Sequence, residues 1–358
     1  MDRGQTTDDD SGGNLEKPGT RRSRSLFERK PWLRPLRPIV LFLLLLLAAW
    51  FVMIRMPSTS YDEPWEPLSE AEEAVRERLV HDVEKLALEI GDRNIEAYEN
   101  YLRAAEFIES TLKQAGYEVN RHEFDAAGRT CINLEAERPG LERPEEILVI
   151  GAHYDSVFGT PAANDNATGV AAMLELARTF AELEPARTVR FVAFANEEPP
   201  FFQTEDMGSL VYARHIRERG DNVIGMVSLE TLGYYSDEPG SQQYPFPFQL
   251  LYPNEGNFLA FVSNVRSRRL LHKGIQAFRE NTLFPSEGAA IPSVIVGVGW
   301  SDHWAFWQEG FPAFMVTDTA LFRYPYYHTR SDTPDKLDFD RLSRVVVGLG
   351  KMAYSLAE

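Results

Sequence analysis

From residue 147 onward, short apolar runs alternate with longer amphipathic stretches, and few folds accommodate that alternation. The patterning predicts strands at 147–151, 188–195, 223–229, 294–297 and 313–316. It predicts helices at 167–183, 209–219, 302–309 and 339–356. Strands that follow one another through helices line up in parallel, and each face of the sheet is then covered by helices. The expected fold class is α/β: a three-layer α/β/α sandwich with a mixed, largely parallel central sheet. Upstream, apolar spacings of three and four predict helices at 68–88, with Ser69 as N-cap, and at 98–115, stopped by Gly116. Strands are expected at 117–124 and 130–135. Residues 235–257, with four prolines and two glycines, form a long excursion expected to help build a binding pocket.

The start of the chain differs from the rest. Residues 1–57 hold ten Lys/Arg against six Asp/Glu, leaving 27 against 48 in the remainder, a net of -21. So acidic a body disfavours nucleic acid as a partner. Ile39–Ile54 is a sixteen-residue run without a polar or charged side chain. Its flanks read as an uncleaved membrane anchor in preference to a signal peptide, because Trp50-Phe51-Val52-Met53-Ile54-Arg55 makes a poor cleavage site. Seven basic residues between Arg21 and Arg37 precede it, which by the positive-inside rule puts the N-terminus in the cytoplasm and the large domain outside. The expected organisation is a disordered cytoplasmic tail (1–37), a single transmembrane anchor (38–55), a linker (56–67) and one catalytic domain (68–358). No feature of the sequence fixes an oligomeric state.

Ligands of open α/β sheets bind beyond the carboxyl ends of the strands. At or just past those ends stand His153 and Asp155, then Asp165 at the head of a helix, Glu197-Glu198, Glu230 and, after a loop, His328. Carboxylates gathered in one cleft repel each other unless a cation joins them. With Cys131 as the sole cysteine, a thiolate zinc site is excluded. Imidazole with carboxylate is the donor set of hydrolytic metal sites, and five ligands suit two ions sharing a carboxylate. The Glu197-Glu198 doublet allows one carboxylate to bind metal while its neighbour handles a water proton. Taken singly, each of these residues is more often a surface charge or a structural histidine; their common position makes the set informative.

At these residues the sequence resembles the M28 family of zinc peptidases, in a membrane-anchored bacterial form. The segments that carry it are Gly151-Ala152-His153-Tyr154-Asp155-Ser156, Ala163-Asn164-Asp165-Asn166-Ala167-Thr168-Gly169 and Phe194-Ala195-Asn196-Glu197-Glu198. Ser301-Asp302-His303 and Tyr327-His328-Thr329-Arg330-Ser331-Asp332-Thr333 come later in the same order. The resemblance spans roughly residues 70–355 and implies a zinc aminopeptidase-like fold with two Zn2+ ions per chain. It implies that His153 and Glu230 bind one zinc, Glu198 and His328 the other, and that Asp165 bridges them. It implies Glu197 as general base and acid, Asp155 as the group orienting His153, and Asp302 and His303 as residues near the substrate. The family often has Asp where this chain has Glu230, so the second ion rests on a longer side chain. The implied activity is removal of N-terminal residues from peptides. A glutaminyl cyclase and a non-catalytic peptide-binding ectodomain remain as alternatives.

Overall fold

The computed structural model describes residues 36–358, with side chains from Pro38 onward. All but the end of the expected tail at 1–37 therefore lies outside the described residues. The chain divides into two units, residues 1–49 and 50–358. Helix α1 (Leu36–Met53) has 18 residues. The expectation of a single-pass membrane protein does not stand: among the described residues no helix is long and apolar enough to cross a membrane. At about 1.5 Å per residue α1 reaches only ~27 Å, and its uncharged part less, against a hydrocarbon core of about 30 Å.

The second unit begins with α2 (Glu70–Glu84), widening into a π-type turn at Lys85–Ile90. Ser69 caps it reciprocally: its Oγ accepts from Glu72 N at 3.3 Å and the Glu72 carboxylate accepts from Ser69 N at 2.8 Å. Then come α3 (Tyr98–Gln114), β1 (Val119–Ala126), β2 (Arg129–Arg138) and β3 (Arg143–His153). After a π-type turn at Ala163–Thr168 come α4 (Gly169–Ala181), β4 (Arg187–Phe194), α5 (Gly208–Arg219) and β5 (Asn222–Glu230). The remainder is β6 (Leu259–Ser263), α6 (Arg268–Asn281), β7 (Ser286–Ala290), α7 (His303–Gln308), β8 (Ala313–Thr317), α8 (Ala320–Arg323) and α9 (Phe339–Ala357).

The eight strands form one sheet in the order β1-β2-β4-β3-β5-β8-β6-β7. Its centre, β4-β3-β5-β8, is parallel throughout. The β1-β2, β2-β4 and β6-β8 pairs are antiparallel. Side chains alternate across the pleat, so Leu148, Ile150, Phe191 and Val227 join the larger core under α2, α3, α4, α6 and α9. Ile147, Val149, Val192 and Phe194 face the opposite way, into a smaller core with α5 and α7. Each large apolar side chain so buried contributes about 1.5–3 kcal/mol before entropy is subtracted. The three layers agree with the expected fold class. The expected strand at Val294–Gly297 does not form: that segment is an irregular loop before α7, with Val294 86% exposed. A short apolar run carries no periodicity that separates strand from loop.

Residues 56–65 have no regular secondary structure, yet they are tied to the domain. Arg279 donates to the carbonyls of Pro57 and Ser58, and Ser286 N donates to Ser60 Oγ at 2.8 Å.

Candidate metal centre

The parallel strands β3, β4 and β5 end side by side, and each delivers a titratable group to the same edge of the sheet. His153 is the last residue of β3 and Glu230 the last of β5. Glu197 and Glu198 lie just past the end of β4. Asp165 enters from the turn before α4. That turn is pressed against β5: a Cβ at Gly169 would lie 2.4 Å from Leu229 O, so the helix can start there only with glycine. Asn166 fastens the contact, donating to Leu229 O at 2.8 Å and accepting from Thr231 N at 3.0 Å.

The two oxygens of Asp165 reach different histidines. Oδ1 lies 3.4 Å from His153 Nε2, and Oδ2 lies 3.0 Å from His328 Nε2. Glu230 Oε2 is 3.3 Å from His153 Nε2, and Glu198 Oε2 is 3.4 Å from His328 Nε2. Donor atoms of His153, Asp165 and Glu198 all fall within 4.8 Å of one another. Glu197 sits beside the group, with Oε2 3.9 Å from His153 Nε2. His328, its side chain 33% exposed, is the open side of an otherwise buried cluster.

Asp155 lies 3.5 Å from His153 Nδ1, as expected of an orienting carboxylate. It does something further: its two oxygens accept from the backbone N–H groups of Glu197 and Glu198, both at 3.0 Å, and so hold the doublet's turn. Asp302 is buried nearby with both oxygens unpartnered. Burial pushes its carboxyl up to about 7, against the attraction of His153. His303 is separate from the cluster. Its Nε2 hydrogen-bonds to Val298 O at 2.8 Å, its ring stands nearly perpendicular to that of Trp307, and burial pulls it down to about 4.

Three residues without an expected role support the site. Asp332 accepts from Asn164 N at 2.8 Å, Asp165 N at 3.1 Å and Tyr324 OH at 2.8 Å, fixing the Asp165 turn. Arg93 is fully buried and donates to the carbonyls of Tyr154, Leu86, Gly91, Pro161 and Ala162, clamping the loop after β3. Ser301 Oγ donates to Glu230 Oε2 at 2.7 Å. Asp332 belongs to the Tyr327–Thr333 segment and Ser301 to Ser301-Asp302-His303, but neither carries a chemical signal of its own. Arg93 stands alone in the sequence, and an isolated Arg reads as surface.

The electrostatics ask for cations. Among the described residues no Lys or Arg pairs with Asp155, Asp165, Glu197, Glu198, Glu230 or Asp302. Burial, then the Asp165 charge, pushes Glu198 up to about 8 despite His328. Burial holds Glu197 well above the usual carboxylate range, with Glu198, Glu230 and Asp302 adding to it and His153 opposing. Burial lowers His328, but the Asp165 and Glu198 carboxylates facing it win and lift it to about 10. Both nitrogens of His153, Asp165 Oδ2 and Glu198 Oε1 are buried without a hydrogen-bond partner. Buried polar atoms are rarely left so. Imidazole nitrogens and carboxylate oxygens facing each other at 3.0–3.4 Å match the donor set of divalent zinc.

Comparisons with known proteins agree with this chemistry. The sequence profile described as Peptidase family M28 matches residues 133–350. "Uncharacterized protein YfbL" of Escherichia coli (strain K12) is 34% identical over 311 residues, covering 84% of this chain and 95% of that protein. A "Probable zinc metalloprotease" of Pyrenophora teres f. teres (strain 0-1) is 28% identical, covering 60% of this chain and 49% of its own length. A "Probable leucine aminopeptidase 1" of Trichophyton verrucosum (strain HKI 0517) is 27% identical, covering 60% and 56%. This chain therefore spans about half the length of the latter two relatives. Among solved structures, the aminopeptidase from Aneurinibacillus sp. strain AM-1 superposes with a TM-score of 0.61 at 18% identity, covering 79% of this chain and 94% of that one. The zinc aminopeptidase BSAP from Bacillus subtilis gives 0.62 at 16%, covering 78% and 95%. A glutaminyl cyclase of Bacteroides thetaiotaomicron gives 0.58 at 16%, covering 78% and 96%, so the fold is shared by both kinds of enzyme.

Proposed function

This chain belongs to peptidase family M28, and on that premise we propose that it is a zinc-dependent aminopeptidase removing N-terminal residues from peptides. The observation that carries the reading is Asp165, whose two oxygens face two separate His–Glu pairs. On this reading His153 and Glu230 hold one zinc ion, Glu198 and His328 a second, and Asp165 both. Bound zinc polarises a carbonyl and acidifies water. The protein's own part is positioning and proton transfer. Glu197 has no ligand role; its carboxylate takes a proton from the attacking water and delivers it to the departing amine. Asp155 keeps both members of the doublet apart by holding their amides, so that one carboxylate faces the ligands and the other the substrate. The surplus of carboxylates also suits a substrate carrying a free α-ammonium.

The test uses the purified full-length chain loaded with zinc. Aminoacyl nitroanilides should be hydrolysed, their N-acetylated counterparts should not, and a chelator should abolish the activity until zinc is restored. Ammonia release from glutaminyl peptides without release of free amino acid would instead assign the cyclase reaction.

A further inference from the structure

On the face of the sheet occupied by α5 and α7, the smaller core stops at Ala305–Phe306 and at Ala313, the first residue of β8, so its apolar helix packing does not reach β6 and β7. The excursion at 235–257 and the loop before α7 arch over this bare corner instead. Beneath them lies a cavity with an open mouth. Its floor is built of small side chains, Ala260 on β6 and Ala289 on β7, and its walls include Tyr244, Phe248 and Tyr252. Glu230 and Tyr327 line it too, so the cavity opens directly from the metal centre.

One row of the sheet runs along that floor. Glu230 pairs with Thr317, Thr317 with Ala260, and Ala260 with Glu287. Register partners project to the same face, so Glu230 and Glu287 stand at the two ends of one line. Three strand spacings separate their Cα atoms by ~14 Å, and Thr317 and Ala260 between them leave the line open. Among the described residues Glu287 makes no side-chain hydrogen bond and no ion pair. The neighbouring cations are engaged elsewhere. Arg279 donates to Ser286 and to the carbonyls of Pro57 and Ser58, and Arg323 to Gln242 and Phe258 O. Burial raises the Glu287 carboxyl above its ordinary value, with only the Arg279 charge opposing. An apolar cavity with a solitary carboxylate at its far end lacks a cation on an aliphatic stem. Lysine and arginine side chains have that form, burying their methylenes and presenting charge at the tip. The aromatic walls favour a cation further.

We infer that this cavity is the specificity pocket for the N-terminal side chain, and that Glu287 selects substrates beginning with lysine or arginine. The inference rests on the proposed peptidase reading for its substrate and on the strand register for its selectivity. The acidic body, net -21 beyond residue 57, draws cationic peptides toward the same mouth.

The decisive comparison is between lysine and norleucine, which share the aliphatic stem and differ in the terminal ammonium. For the zinc-loaded wild-type chain, kcat/KM on lysyl nitroanilide should exceed that on norleucyl nitroanilide by about tenfold or more, the selectivity one desolvated charge pair supplies. Glu287→Gln should erase the preference while leaving norleucyl hydrolysis within about twofold, and Glu287→Asp should keep part of it. Hydrolysis of norleucyl and lysyl substrates at equal rates, unchanged by Glu287→Gln, would overturn this inference and leave the peptidase reading intact. Absence of hydrolysis of every substrate would sink the peptidase reading instead. Calorimetry with L-lysinamide and L-norleucinamide then decides: tighter lysinamide binding that Glu287→Gln abolishes supports the pocket, and equal binding overturns it.

Discussion

Glu135 on β2 and Glu198 at the end of β4 are equally removed from water, at 2% and 4% exposure, and both sit among other titratable groups. Their surroundings differ in sign. Glu135 accepts from Tyr212 OH at 2.5 Å and lies 3.6 Å from His122 and 4.0 Å from both Arg190 and Arg219. Arg190 in turn pairs with Glu137 at 2.6 Å and with Asp221. Burial would raise the Glu135 carboxyl, but the nearby His122 imidazole, the hydrogen bond from Tyr212 and the Arg190 charge bring it down to about 2. Glu198 has only histidines to set against burial and the Asp165 charge, and is driven up to about 8. The first cluster is internally neutralised and holds strands and helix together. The second is short of positive charge and is complete only with metal. A buried acidic group thus marks a functional site by what its neighbours fail to supply, more than by its own presence.

The comparison can be broken by substitution. The largest separation is expected in catalysis. Glu197→Gln should lower kcat by about 10²–10⁴-fold with zinc content unchanged, as loss of a proton-transfer group does. Glu135→Gln, assayed alongside, should leave kcat/KM close to wild type. Equal damage from both variants would erase the distinction. Stability should respond the other way. Arg190→Met takes the paired guanidinium from Glu137 and leaves Glu135 and Asp221 to Arg219, and should cost about 3 kcal/mol in urea unfolding, with or without zinc.

The same contrast appears in pH dependence. A carboxylate held at about 2 in the folded chain and near 4.3 when unfolded stabilises the fold above the unfolded value, and loses that contribution as pH falls through the folded one. The stability difference between wild type and Glu135→Gln should therefore be constant above about pH 5 and shrink by roughly 2 kcal/mol as pH falls from about 4 to 2. A difference that instead grew on acidification would contradict the assigned direction. The smallest effect is expected from Ser301→Ala. Without its hydroxyl Glu230 is less firmly held, and zinc affinity, followed by competition with a chelator, should fall about tenfold.

Much of this was legible in the chain because strand ends are legible. Each ligand candidate except His328 directly succeeds an apolar run or opens a helix, and the parallel strand order then brings His153, Glu198 and Glu230 to one edge. The three-layer fold comes from the same alternation. β6 and β7 are not expected, because a five-residue strand after a proline-rich excursion offers no pattern to read, whereas α6 is legible in the helical spacing of Leu271, Ile275 and Phe278 and is missing from the expected elements. The false strand at Val294–Gly297 has the same origin. Asp155's second role, the Arg93 clamp and the Asp332 support were hidden for another reason. They depend on backbone groups brought near from distant parts of the chain, and a side chain that hydrogen-bonds to backbone leaves no trace in residue spacing. The row from Glu230 to Glu287 likewise exists only once the register is known.

The claim that the charge-deficient cluster is a two-ion site joined by Asp165 is tested most directly by counting metal. Purified full-length chain, exchanged into metal-free buffer after zinc loading, should retain about two zinc ions per chain by elemental analysis, as a carboxylate-bridged pair requires. Asp165→Asn, which removes the shared charge while keeping the shape, should retain well under one, while Glu135→Gln keeps the wild-type content. Wild-type chain that retains no zinc, or an Asp165→Asn variant that retains as much as wild type, would contradict the account.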